Sequence, residues 1–457
     1  MPLNRRPSSS SMASPFPRNN VHTKASRHIY SRSNRDTLEQ SDEHILDYRL
    51  PLELCEMIID SIAYSGLTEG RGYWAQSEWR NALLACAFVC RAWHLRSMFH
   101  LHKSVQLANR KQVVSLSKRL RQHQDLQAAV EYVTISRAES LSVRPYLSGD
   151  KDHDGIGRFG TFIMMLARRL PNITSLTIAG VVWRTGSMHP ECMRYLSTYT
   201  TITRLCLHYV TFTRTSQFVS LLSALPNLQC LDCADVKWAQ IPLMLPVPLH
   251  AQRHTHHLIL SGIDTSTISK SLLNGKNIQV GSHWQRLLDI LHHVSACEVS
   301  MTLPSVRRID LSQHSKLGRL SISYTYSAHA SFYYIAATLS TITSDALSTI
   351  HVQFQHSAID SKLSDLYRAT DQWAKSFVNQ MDHNDDLQRI DEILSGACFA
   401  SITRGGVCFE ITMNPRHHAR IAQLTGSEEY WTQTLTQKMP RAAERGILQC
   451  VLTQSVR

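Results

Sequence analysis

Three stretches carry residue types whose spacing could do chemistry. "DKDHDGIGRFGT" places Asp150, Asp152, Asp154 and Gly155 as the opening half of a calcium loop. Such a loop closes with a bidentate carboxylate at its twelfth position. That position is Thr161 and Pro145 stands just upstream, so calcium is not expected. Gly155, Gly157 and Gly160 also spell GxGxxG, but a dinucleotide site needs a strand directly before it, and charged loop residues stand there instead. Cys230-x-x-Cys233 could be half a zinc site, yet Cys233 fills an apolar core position and no second pair follows at a suitable distance. His254, His256 and His257, with His292-His293 and His417-His418, lack accompanying cysteine or carboxylate patterns and read as exposed polar residues. No nucleophile elbow, P-loop, HExxH or Cys–His signature occurs. The expectation is no catalytic residue, no metal, no cofactor and no enzyme.

The elements that would position any such groups begin late. The chain has 457 residues, more than one ordinary core, and a formal charge of +12. Before Asp36 there is no acidic residue, while Arg5, Arg6, Arg18, Lys24, Arg27, Arg32 and Arg35 are basic. Residues 1–45 read as a disordered Ser-rich tail. A transit peptide, interrupted by Pro2, Pro7, Pro15 and Pro17, and a basic aid to nuclear entry are the alternatives. The remaining positive charge is scattered, which argues against a nucleic-acid face. Eleven cysteines, several in apolar runs, suit reduced thiols and a cytoplasmic or nuclear location. "IPLMLPVPL" is too short and too Pro-broken to span a bilayer, so no membrane is expected.

From Asp47 the character changes. "LPLELCEMIIDSI" puts Pro51 at a first helical position and Glu53 in the first turn. Leu52, Cys55, Ile59 and Ile62 form one apolar line, and Leu54 and Ile58 a second. "ALLACAFVCRAW", Ala82 to Trp93, is apolar nearly all round, so it must be covered on every side. Residues 46–108 are too few to bury both helices, and either a partner or the downstream domain must cover them. Leu50-Pro51, Glu53, Ile58 and Ile59, followed by Val89-Cys90-Arg91 and Trp93, resemble an F-box. That resemblance implies a helical module docking on the adaptor Skp1 through Leu50, Pro51, Leu54, Ile58, Ile59, Val89, Cys90 and Trp93.

Three later segments align without gaps. "NITSLTIAGVVW", "TITRLCLHYVTF" and "NLQCLDCADVKW" share L-x-x-L-x-L-x-x-V-x-aromatic, with Leu176, Leu205 and Leu231 spaced 29 and 26 residues apart. Helical patterns such as "SQFVSLLSAL" lie between, which is the signature of a leucine-rich repeat. Val sits where the repeat usually has Asn or Cys, so no side-chain ladder to the loop backbone is expected. The reading is an α/β chain: an all-helical F-box over 46–108, an irregular leucine-rich solenoid over 109–414 with a flexible insertion near 140–160, and a helical cap over 415–457. The alternative is an unrelated α/β domain. With its "W…MP…RGIL" ending, the whole resembles fungal F-box proteins. The resemblance implies a substrate-recognition subunit joined through Skp1 to a cullin–RING ubiquitin ligase, with the repeats holding an unknown substrate protein. The alternative is a repeat scaffold or binding protein acting outside any ligase.

Overall fold

A computed structural model describes residues 51–68, 75–136, 155–184, 186, 188–238, 255–261, 288, 291, 294–301, 309–325, 332–355, 385–413 and 428–454. The tail, Leu50, Asp150 to Asp154, "IPLMLPVPL", His254, His292-His293 and His417-His418 lie outside these. Helices α1 (Leu52–Thr68), α2 (Ala75–Ala87) and α3 (Arg91–Lys103) come first. Ile59, Ala63, Trp79, Leu83 and Leu101 make a small core between them. Asp60 on α1 accepts from Arg96 through both carboxylate oxygens, at 2.7 and 2.6 Å, and meets His100 at 2.7 Å. The Arg96 guanidinium holds the Asp60 carboxyl down at about 2.

Among the described residues, eleven parallel strands follow in one sheet, in chain order: β1 (Ser104–Leu107), β2 (Tyr132–Ile135), β3 (Ser175–Ala179), β5 (Arg204–His208), β7 (Cys230–Ala234), β9 (His257–Ser261), β10 (Ala296–Met301), β11 (Arg319–Thr325), β12 (Thr349–Gln355), β13 (Val407–Met413) and β14 (Leu448–Gln454). Parallel neighbours need crossovers. Helices α4 (Arg110–Gln122), α5 (Gln124–Ala129), α6 (Gly155–Leu166), α7 (Pro190–Leu196) and α8 (Thr215–Ser223) return the chain in the first half. In the second half, α9 (Phe332–Leu339), α10 (Asp386–Leu394), α11 (Glu428–Lys438) and α12 (Pro440–Glu444) do so. Their apolar faces join one strand face in a single core. Val113, Phe162, Phe218, Ile335 and Ile390 from the helices meet Val133, Leu176, Leu205, Leu231, Leu258, Leu320 and Ile350 from the strands.

The gap-free alignment is the register itself. Leu176 pairs with Leu205 and Leu205 with Leu231, all fully buried. The pattern's last residues form a second, three-stranded sheet of β4 (Val182–Trp183), β6 (Thr211–Phe212) and β8 (Lys237–Trp238). It stacks Trp183 on Phe212 with ring centroids 5.3 Å apart, and Trp238 follows at 6.3 Å. Between the two sheets the chain turns through left-handed backbone at one pattern position: Gly180, Tyr209 and Asp235, at φ 66°, 56° and 52°. Only glycine enters that region without steric cost.

The expected fold is corrected in three places. First, the helices over 52–103 are not a clear F-box module, because α3 passes into β1 without a linker and Arg80 on α2 donates to the Ser104 carbonyl at 3.0 Å. Second, the array is one continuous parallel α/β sheet rather than a leucine-rich solenoid. Register-equivalent residues are 23 apart from Cys297 to Leu320 but 57 apart from Ile350 to Val407, so no repeat length is kept. The L-x-x-L-x-L pattern arises from any short strand buried on one face and returned by a helix. Third, the last segment is not a helical cap: Gly446, at φ 66°, ends α12, and Leu448–Gln454 becomes the eleventh strand. Moreover, a backbone-satisfying ladder exists at the pattern's first position, where Asn172 donates to the Ala128 carbonyl and Asn227 to that of Thr200, each at 2.8 Å.

Candidate functional site

Strand side chains alternate, so residues between the core positions share the opposite face of the sheet. On β5 these are Arg204, Cys206 and His208; on β7, Cys230 and Asp232; on β9, His257. Further along come Ser321 and Ser323 on β11, His351 and Gln353 on β12, then Cys408, Glu410 and Thr412 on β13. The sheet is thus an amphipathic layer with a polar, titratable face.

Two groups of this face are concentrated. The first joins β5 and β7. Cys206 and His208 stand two residues apart on one strand, and Asp232 is the cross-strand partner of Cys206. All three are buried, and their ligand atoms lie within 4.8 Å of one another. Asp232 meets Arg204 at 3.6 Å and His208 Nε2 at 3.9 Å. Burial pushes the Cys206 thiol up to about 12, so it is protonated when unliganded. Cys230 Sγ sits 3.9 Å from His257 Nδ1, and burial lowers the His257 pKa.

The second group joins β11 to β14. His351 Nε2 lies 2.8 Å from Glu410 Oε2, while Glu410 Oε1 accepts from Thr453 at 2.6 Å and from Thr412 at 3.0 Å. Gln353 donates to Thr412 at 3.0 Å and accepts from Ser323 at 3.0 Å. Hydrogen bonding to Cys408 and Glu410 raises the His351 pKa to about 9, and His351 in turn holds Glu410 at about 2. The pair is therefore an imidazolium–carboxylate at neutral pH, a fixed polar anchor. Neither group is filled with one sign of charge.

Apolar surface is exposed elsewhere. Among the described residues, Leu52, Leu54, Met57, Ile58, Tyr64, Leu84, Phe88, Val89, Leu95 and Phe99, on α1–α3 and the turn between α2 and α3, are ten of the sixteen exposed large apolar side chains. Phe88 and Val89, in the turn from α2 to α3, are 87% and 62% exposed. Of the residues expected at a Skp1 interface, Pro51, Leu54, Ile58, Val89 and Cys90 are exposed. Trp93 is partly buried against the small core, and Ile59 lies within it, supporting that surface from beneath. Leu50 lies outside the described residues.

Cys230 and Cys233 point to opposite faces, Cys233 into the core, so the CxxC spacing brings no pair together. Gly155, Gly157 and Gly160 open α6, and His256 is exposed beside β9. Sequence reasoning missed the Cys206–His208–Asp232 and His351–Glu410 groups. The signal was present, since the same alignment that stacks the leucines places Asp232 beside Cys206. No protein-family model matches the chain, and no curated protein matches it. Among the described residues no helix is long and apolar enough to cross a membrane.

Proposed function

We propose that the chain is a non-catalytic adaptor: helices α1–α3 dock on Skp1, and through it on a cullin–RING ubiquitin ligase, while the polar face of the sheet holds a substrate protein. The reading rests chiefly on the concentration of exposed apolar side chains in α1–α3 and the turn between α2 and α3, a stretch that includes Pro51, Glu53, Val89, Cys90 and Trp93 of the two motifs. Exposed apolar surface of this kind marks a protein interface. The sheet face supports the second half of the reading, because its alternating cations, carboxylates, amides and hydroxyls suit a polar protein surface rather than a small apolar ligand. The chain would contribute proximity, raising the effective concentration of substrate lysines near a ubiquitin-loaded enzyme held by other subunits. Its eleven cysteines, none of them in a disulfide, fit the reducing cytoplasm or nucleus where such ligases act.

The test is capture of Skp1 by the full chain. Leu54→Asp with Val89→Asp lowers the affinity about tenfold or more, equivalent to ~1.4 kcal/mol, while the urea midpoint stays unchanged. Capture of Skp1 by the double variant at wild-type affinity refutes the docking surface. Capture of Skp1 without any cullin places the chain outside a ligase.

A further inference from the structure

We propose that Cys206, His208 and Asp232 bind one divalent transition-metal ion of the zinc class in the polar face of the sheet. The sequence suggested no metal, and the inference stands on the geometry of two strands. Residues two apart on a strand face the same side, and the cross-strand neighbour of Cys206 stands beside them on that face. Cys206 and His208 supply the first two ligands and Asp232 the third. Four-coordinate zinc has bonds of about 2.0–2.3 Å, which sets neighbouring ligand atoms about 3.3–3.7 Å apart. The three ligand atoms already lie within 4.8 Å of one another, and His208 Nε2 is 3.9 Å from Asp232 Oδ1. Binding would draw these atoms together by up to about 1.5 Å.

Asp232 is the observation that asks for a ligand. It is 6% exposed, yet among the described residues nothing donates to it within hydrogen-bond distance; its nearest partners are at 3.6 and 3.9 Å. A buried carboxylate is costly unless paired or bonded. The other buried aspartate among the described residues shows the usual solution: Asp391 on α10 accepts from the Arg441 and Ala442 backbone N–H groups at 3.1 and 2.8 Å. One sulfur, one nitrogen and one oxygen select a borderline-soft ion over magnesium or calcium, which take oxygen sets. Binding replaces the Cys206 thiol proton, which leaves to solvent, and the three protein ligands leave a fourth position open. Arg204, 3.6 Å from Asp232, competes with the metal for the carboxylate.

The full chain, reduced and freed of metal, is titrated with Co²⁺ and then with Zn²⁺. The expected result is a thiolate-to-cobalt charge-transfer band and the visible bands of four-coordinate Co²⁺, saturating at one equivalent and erased by Zn²⁺. Cys206→Ser abolishes the charge-transfer band, and Asp232→Asn weakens binding severalfold. Arg204→Met strengthens binding, an outcome that a purely structural role for these residues does not produce. Cys230→Ser, whose thiol faces His257 instead, leaves the titration unchanged. Circular dichroism and the urea midpoint monitor folding; if Cys206→Ser fails to fold, Arg204→Met and Cys230→Ser carry the test. Absence of the band in the wild-type chain, its persistence in folded Cys206→Ser, or its loss in Cys230→Ser overturns the proposal. So does weaker binding by Arg204→Met.

Discussion

Leu205→Ala tests the register on which the sheet depends. Leu205 is fully buried and paired on one side with Leu176 and on the other with Leu231, both also fully buried. Three carbons at ~0.8 kcal/mol each give ~2.4 kcal/mol of lost transfer free energy. The residual cavity raises the cost toward ~5 kcal/mol when the surroundings cannot collapse. Here the neighbours are held by their own strands, so the expected loss is ~3–5 kcal/mol. Urea titration of the full chain, followed by tryptophan fluorescence, reads it directly, because Trp183 and Trp238 are buried in the adjoining aromatic row. Leu95→Ala is the control: Leu95 is 67% exposed, and its truncation stays within ~0.5 kcal/mol. A loss below ~1 kcal/mol at Leu205, or an equal loss at Leu95, refutes the register.

Two further outcomes follow from polar groups, the half-buried His351–Glu410 pair and the buried Asp391. His351 is raised from 6.5 to about 9, so its contribution to stability is full below pH 6.5 and lost as pH rises through about 9; Glu410 is lowered from 4.5 to about 2, so its contribution is full above pH 4.5 and lost as pH falls through about 2. The stability gap between wild type and His351→Gln, measured by denaturant titration across pH, is therefore widest between 4.5 and 6.5 and narrows on both sides; a gap that is flat with pH contradicts the ion pair. Asp391→Ala strips the acceptor from two N–H groups at the start of α12 and costs ~1–3 kcal/mol; an unchanged urea midpoint shows that those donors find another partner.

The strand register was legible because three segments repeat one pattern without a gap, and hydrophobic spacing alone stacks Leu176, Leu205 and Leu231. The exposed apolar surface of α1–α3 was legible because so short and apolar a unit leaves some of that surface uncovered, but Ala82 to Trp93 is not the single helix its pattern suggested: α2 ends at Ala87 and α3 begins at Arg91. What sequence could not fix was which lines of α1 turn inward, and Ile59 went in while Leu54 and Ile58 stayed out. The overall architecture was misread because strand-plus-helix spacing near 29 and 26 residues was extended to intervals as long as 57. The final strand was missed because "RGILQCVL" also fits an amphipathic helix; Gly446 was the stop signal. The Cys206–His208–Asp232 and His351–Glu410 groups went unread because hydrophobic spacing marks the core positions and does not say which polar residues between them meet across strands.

The monotonic order of the eleven strands bears on how the protein is made. During synthesis, the partner of each new strand has already left the ribosome, so no strand waits for a later one. At every moment a single growing edge is open, first at β1 and finally at β14. Vectorial growth of this kind avoids the long-range closures that slow most β-rich domains. Its weakness is a stalled chain: a ribosome halted anywhere past β3 presents an unpaired parallel edge backed by apolar side chains, the form most open to capture by another nascent chain.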